Sequence, residues 1–327
     1  MLETSGVAIR AALLNVVCDI PAARKVGGFL GHSAAFACMY CAKKFEQNET
    51  SQSRNMSDFE VEAWPRKCKM EIRQAAKKWS EATVKAEQAV IEEEFGVRWS
   101  ELYRLTYFDP LRQIVVDPMH NLFLGTAKKI TRDTWSQQTT DGITGVKKPA
   151  LLSAKILDQM ERDLYSLLVP PTMRLSRRKI ASGFAQLTAD DWRKWTLGIS
   201  QCLIHGRGLG ASRVVNWMMF VDACRLIVKP TVTINEAEEA HMASQFGKSS
   251  VTEYGSTIAT INMHLHCHLL DNIKDFGPIY AFWCFGFERY NGRIKKITTN
   301  NKDCFELTYM ARFNQQVHRR DYVQRLP

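Results

Sequence analysis

Two thiols near the front of the chain and three alternating imidazoles near its back constrain this fold more than any other feature. The thiols are Cys38 and Cys41, in Cys38-Met-Tyr-Cys41; the imidazoles are His264, His266 and His268, in NMHLHCHLLDN. Two thiolates at C-x-x-C spacing can reach one metal ion from a single tight turn. Alone the pair is half a site, and two core cysteines would look the same. In a helix, His264 and His268 share one face at i and i+4, and His266 points elsewhere; in an extended segment all three share one side. With Cys38 and Cys41, two of these imidazoles complete a Cys₂His₂ zinc site. Four protein ligands leave no open position, so the site would be structural, and it would tie the start of the chain to its end.

Composition narrows the partners. A length of 327 residues suggests about two domains, and a 45% hydrophobic content is enough for a sizeable core. The formal charge of +10 favours a polyanion, nucleic acid first, although a basic protein need have no such partner. The opening MLETSGVAIR lacks a signal-peptide core, so the nine cysteines are expected to be thiols or metal ligands in a reducing compartment. No run of about 18 apolar residues is present to span a membrane.

Along the chain, VAIRAALLNVVCD (7–19) reads as a buried strand ending at Asp19, and Pro21 opens a helix. The strand's partners must come from later in the chain. A polar stretch (47–58) leads to a charged helical pattern over 71–95. QIVVDPMHNLFLGTAKKI (113–130) passes from a short strand into a helix opened by Asp117-Pro118. A second polar segment (136–149) precedes a helical block over about 150–246, interrupted by Pro170-Pro171 and HGRGLGAS.

Three acids stand out. A carboxylate at the end of a buried strand can hold Mg²⁺ for phosphodiester chemistry, which Asp19 would do. Asp19 and Asp117 can equally be helix caps. Glu288 lies in FWCFGFERYNGRIKK (282–296), among Phe282, Trp283, Cys284, Phe285 and Phe287. Burying an acid there is costly unless a metal or a cation, such as Arg24 or Arg289, offsets it.

In order, CDIPAARKVGGFLGHSAAFACMYC, VVDPMHNLFLGTAKKI, TINMHLHCHLLDNIKDFGPIYAFWCFGFERYNG and TTNN resemble the transposase domain of CACTA-type (En/Spm-like) DNA transposons, over about residues 7–313. The resemblance implies a DDE/D recombinase with an α/β core, a partial ribonuclease-H-like fold over 1–46 and 255–313. A large, mostly α-helical insertion would occupy 58–246 and a tail 314–327. By the same resemblance, Asp19 matches the second catalytic aspartate and Glu288 the final glutamate, both holding Mg²⁺. Asp117-Pro-Met-His120 matches the C/D-x-x-H motif, with His120 facing the DNA phosphate. The V(D)J recombinase is similar in placing a zinc ion on a C-x-x-C pair and a histidine pair, which favours His268 with either His264 or His266.

The activity implied is Mg²⁺-dependent cleavage and strand transfer at transposon ends, in the nucleus, with DNA and a second copy of the chain as partners and no membrane. Arg289, Arg293, Lys295 and Lys296 would face the DNA backbone. Trp192 and Trp195 would stack on an extruded base, or else be core aromatics. The family's first catalytic aspartate and three leading strands are expected upstream of residue 7, where this sequence has no match. The chain is therefore expected to be inactive alone; the alternative is a non-catalytic, zinc-stabilised DNA- or protein-binding module derived from a transposase.

Overall fold

Pro21 follows Asp19 by two residues, and the chain turns helical there. In the computed structural model, which describes residues 10–48, 53–140, 146–176, 179–240, 243–299 and 304–324, helix α1 runs Ile20–Gly27. The Asp19 carboxylate accepts from Ala22 N at 2.7 Å, filling one of the amides that a helix start leaves open. Gly28 ends the helix at φ 74°, where a Cβ would strike the Arg98 carbonyl oxygen.

The charged pattern over 71–95 is two helices rather than one. Helices α2 (Lys69–Glu81) and α3 (Lys85–Phe95) pack on each other, and Trp79 Nε1 donates to Glu92 Oε1 at 2.9 Å across the pair. Asp117-Pro118 then opens two helical segments wound at i→i+5, π1 (Met119–Ala127) and π2 (Lys129–Trp135). Gly125 lets the neighbouring chain approach closely: a Cβ there would collide with the Asn262 side chain.

The remaining core is also helical. It contains α4 (Ala154–Ser166), α5 (Ala189–Lys194), α6 (Ser200–Ile204), α7 (Ala211–Ile227), α8 (Ile234–Ala240) and α9 (Ala243–Tyr254). Helix α7 packs against α8 and α9, and Trp135, Trp192, Trp195 and Trp217 are fully buried. Helix α10 (Ile261–His266) packs on π1 and is followed by α11 (Leu269–Phe276).

The expected α/β core does not form among the described residues, which are mostly helical. Residues 7–9 of the expected front strand lie outside them. The rest makes one parallel bridge, Val16 to Ile114, with Val16 N donating to Gln113 O at 2.6 Å and Val115 N to Val16 O at 3.2 Å. Leu14 is 74% exposed, so the apolar run is not buried on both faces as a central strand must be. The one ladder among the described residues is a two-residue antiparallel pair, β1 (Thr139–Thr140) with β2 (Lys147–Lys148).

The chain divides into two compact units, Met1–Trp283 and Cys284–Pro327. The expected core segments 1–46 and 255–283 and the expected insertion 58–246 all belong to the first. The second holds α12 (Phe285–Ile294) and α13 (Phe305–Gln324). Among the described residues no helix is long and apolar enough to cross a membrane.

Candidate metal centre

The Cys38–Cys41 turn and the α10–α11 junction meet inside the first unit. Cys38 Sγ lies 3.4 Å from His268 Nε2, Cys41 Sγ lies 3.3 Å from His264 Nε2, and the two Nε2 atoms are 3.4 Å apart. The four ligand atoms all lie within 4.8 Å of one another, and all four residues are buried. A tetrahedral zinc ion with ordinary Zn–S and Zn–N bonds needs S···N edges of about 3.6 Å and an N···N edge of about 3.3 Å. The donor set and its spacing therefore suit a tetrahedral metal ion such as zinc.

Local structure explains the convergence. Thr260 caps α10 and His268 caps α11, so His264 and His268 face the same side across the break between the helices. His266 faces the opposite way. Its Nε2 lies 3.0 Å from Thr126 Oγ1 of π1, and its ring stacks near Phe220 and Phe246. Burial pulls its pKa down to about 3, with a hydrogen bond to the Asn121 backbone opposing. His266 is thus a neutral packing group that pins α10 to π1, and the choice between His264 and His266 falls to His264.

Of the two thiols, Cys38 is the one drawn toward its thiolate. Burial alone would raise the Cys38 thiol, but a hydrogen bond from Cys41 and the His268 and His264 imidazoles outweigh it and hold its pKa well below the ordinary thiol range. Cys41 is pushed up, first by that hydrogen bond and then by burial. Cys38 Sγ also accepts the amides of Tyr40 at 3.3 Å and Cys41 at 3.4 Å. His264 is pulled down by burial, which favours the neutral ring that a metal binds. Its Nδ1 is buried with no hydrogen-bond partner among the described residues, where a metal-bound histidine ordinarily has one. The ring is held instead by Trp64, stacked at 4.1 Å and 21°, and by the edge of Phe45.

Two cations brace the turn. Arg24, 4% exposed, donates to Ala37 O at 2.7 Å, and Lys67 Nζ donates to Cys38 O at 2.6 Å. Burial draws the Arg24 guanidinium down to about 10, with Cys38 opposing. Sequence reading missed Arg24, Lys67 and Trp64 as supports of the site. The only local signal was Tyr40, which stands inside the C-x-x-C spacing.

A second constellation lies at the ends of the bridged segments. Three residues after Val16 comes Asp19, and three after Ile114 comes Asp117, so both acids sit at the same end of two parallel neighbours. Burial, followed by the Asp19 and Asp117 carboxylates, pushes the intervening Cys18 thiol up to about 11. Asp117 is fully buried and accepts from the amides of Met119 at 3.2 Å and His120 at 3.0 Å. Its Oδ2 also receives His120 Nδ1 at 2.5 Å, and the His120 side chain is 25% exposed. The cap is therefore shared with a partly exposed imidazole.

The other expected site residues fare differently. Trp192 and Trp195 are 1% and 0% exposed; Trp195 Nε1 donates to Thr131 Oγ1 at 3.2 Å and Phe184 packs on both rings. A ring without an open face cannot stack on a base, so their expected DNA role is replaced by core packing. Glu288, in the second unit, is exposed on α12, as are Phe287 and Tyr290. Its apolar neighbours in sequence do not bury it, because helical turning carries them to other faces or to the surface. Neither Asp19 nor Glu288 belongs to a cluster of three metal-ligand atoms among the described residues, so the expected Mg²⁺ site has no geometric support. Arg289, Arg293, Lys295 and Lys296 are exposed on or just after α12, with Arg293 over the Tyr290 ring at 5.3 Å.

No protein-family model matches the chain, and no curated protein matches it. The transposase resemblance therefore rests on the quoted motifs alone.

Proposed function

We propose that the chain is a zinc-stabilised nucleic-acid-binding module of CACTA-type transposase descent. The observation that carries this reading is the buried set of Cys38, Cys41, His264 and His268, whose spacing fits one tetrahedral ion and whose four positions leave no opening for substrate. Zinc here does the work of a cross-link, joining segments more than two hundred residues apart. The +10 charge and the exposed Arg289, Arg293, Lys295 and Lys296 support DNA as the partner, and a nucleus as the setting.

A second reading is Mg²⁺-dependent DNA cleavage by the same chain. The parallel pairing of Val16 with Ile114, which brings Asp19 and Asp117 to the same end of neighbouring segments, and the Asp117–His120 pair support it. Gel-shift binding to transposon-end DNA, run beside a Mg²⁺-dependent nicking assay, separates the two. Binding without nicking, unchanged by Asp19→Ala, favours the module; nicking abolished by Asp19→Ala favours the enzyme.

A further inference from the structure

We propose that Tyr40 and Asn272 are positioning residues through which metal at the Cys₂His₂ centre sets the order of the segment ending in Asp117 and His120. The inference rests on the metal reading above. Tyr40 stands between the two cysteine ligands, and its ring stacks on His268 at 4.9 Å and 25°. Its hydroxyl leaves the metal centre and donates to Ile114 O at 2.7 Å, with Asn272 Oδ1 also near at 3.3 Å. Asn272, 1% exposed, lies on α11 one turn beyond His268, which caps that helix. Its Oδ1 accepts Val116 N at 3.0 Å.

The two side chains therefore hold the carbonyl of Ile114 and the amide of Val116, the backbone groups directly before Asp117. One comes from the cysteine turn and the other from the histidine helix. Their relative position depends on what joins Cys38 to His268. Cys38 Sγ lies 3.4 Å from His268 Nε2, and a metal bound there would join the two through a pair of coordinate bonds. A buried hydrogen bond holds its register only as firmly as the elements that carry it, so fixing the junction fixes the pair, and the pair fixes 114–117.

Packing offers the competing explanation. Val115 and Val116 are fully buried and could hold the segment without any help from the metal. Hydrogen exchange of the full chain, with zinc bound and after chelation, distinguishes the two. The expected result is exchange about tenfold slower in a peptide spanning 113–123 when zinc is bound. Tyr40→Phe, which keeps the stacked ring, and Asn272→Leu should each retain one zinc per chain and lose most of that protection. Equal exchange in 113–123 with and without zinc, despite bound metal, overturns the relay and leaves the metal reading standing. Full zinc-dependent protection in both variants overturns it as well, as does loss of zinc from Tyr40→Phe, which would make the hydroxyl a support of the turn itself. A wild-type chain that takes up no zinc overturns both readings.

Discussion

Cys41 Sγ and His264 Nε2 stand 3.3 Å apart, although 223 residues separate them in the chain. Contacts of this range are slow to find and weak to hold unless something bonds them. The buried Cys38–His268 pair beside it gives a metal ion two such contacts to join at once.

Cys38→Ser or His268→Ala should abolish zinc binding, whereas His266→Ala should leave it intact. The His266 change should still destabilise the fold by about 2–4 kcal/mol, because it opens a cavity and strips Thr126 of its partner. Metal analysis and denaturant unfolding of the three variants check both halves. Loss of zinc from His266→Ala would contradict the assignment of His264.

Trp195→Ala should cost about 3–5 kcal/mol of stability while leaving the DNA affinity of the folded fraction unchanged, since the ring is wholly enclosed. Lys295→Glu with Lys296→Glu should do the reverse, weakening DNA binding and flattening its salt dependence without lowering the melting temperature. Binding titrations at several salt concentrations, paired with thermal melts, read both outcomes.

Asp191 supplies a pH dependence. It closes the capping box of α5 with Thr188 and also accepts from the Ser176 amide and hydroxyl at 2.6 Å each. Burial opposes ionisation, but these donors outweigh it and hold the carboxyl below its ordinary range. A depressed folded pKa gives stability that is present above the unfolded value of 3.8 and is lost as pH falls through the lower folded one. Asp191→Asn should therefore destabilise the chain by about 1–3 kcal/mol at neutral pH, and the difference from wild type should shrink below about pH 4. Urea unfolding of both proteins between pH 3 and 7 measures it.

The parts legible in sequence were those whose chemistry demands particular residues. Asp117-Pro118 announced a cap, and the i, i+4 spacing of His264 and His268 put them on one face. His266 could be excluded only once α10 was seen to pack on π1. The i→i+5 winding of 119–135 leaves no mark in residue type, because its ladder is made by backbone alone. The apolar run ending at Asp19 looked like a central strand, but burial is set by neighbours, and Val16 finds one partner at Ile114. Glu288 misled for a related reason: sequence neighbours of a helical residue lie about 100° apart around the axis, so a cluster in sequence is not a cluster in space.

X-ray absorption at the zinc edge, on the full chain purified without chelator, tests the central claim most directly. One zinc per chain is predicted, bound by two sulfurs at about 2.3 Å and two imidazole nitrogens at about 2.0–2.1 Å, with Cys38→Ser removing it. A metal-free protein, or a zinc shell without sulfur, would contradict the account.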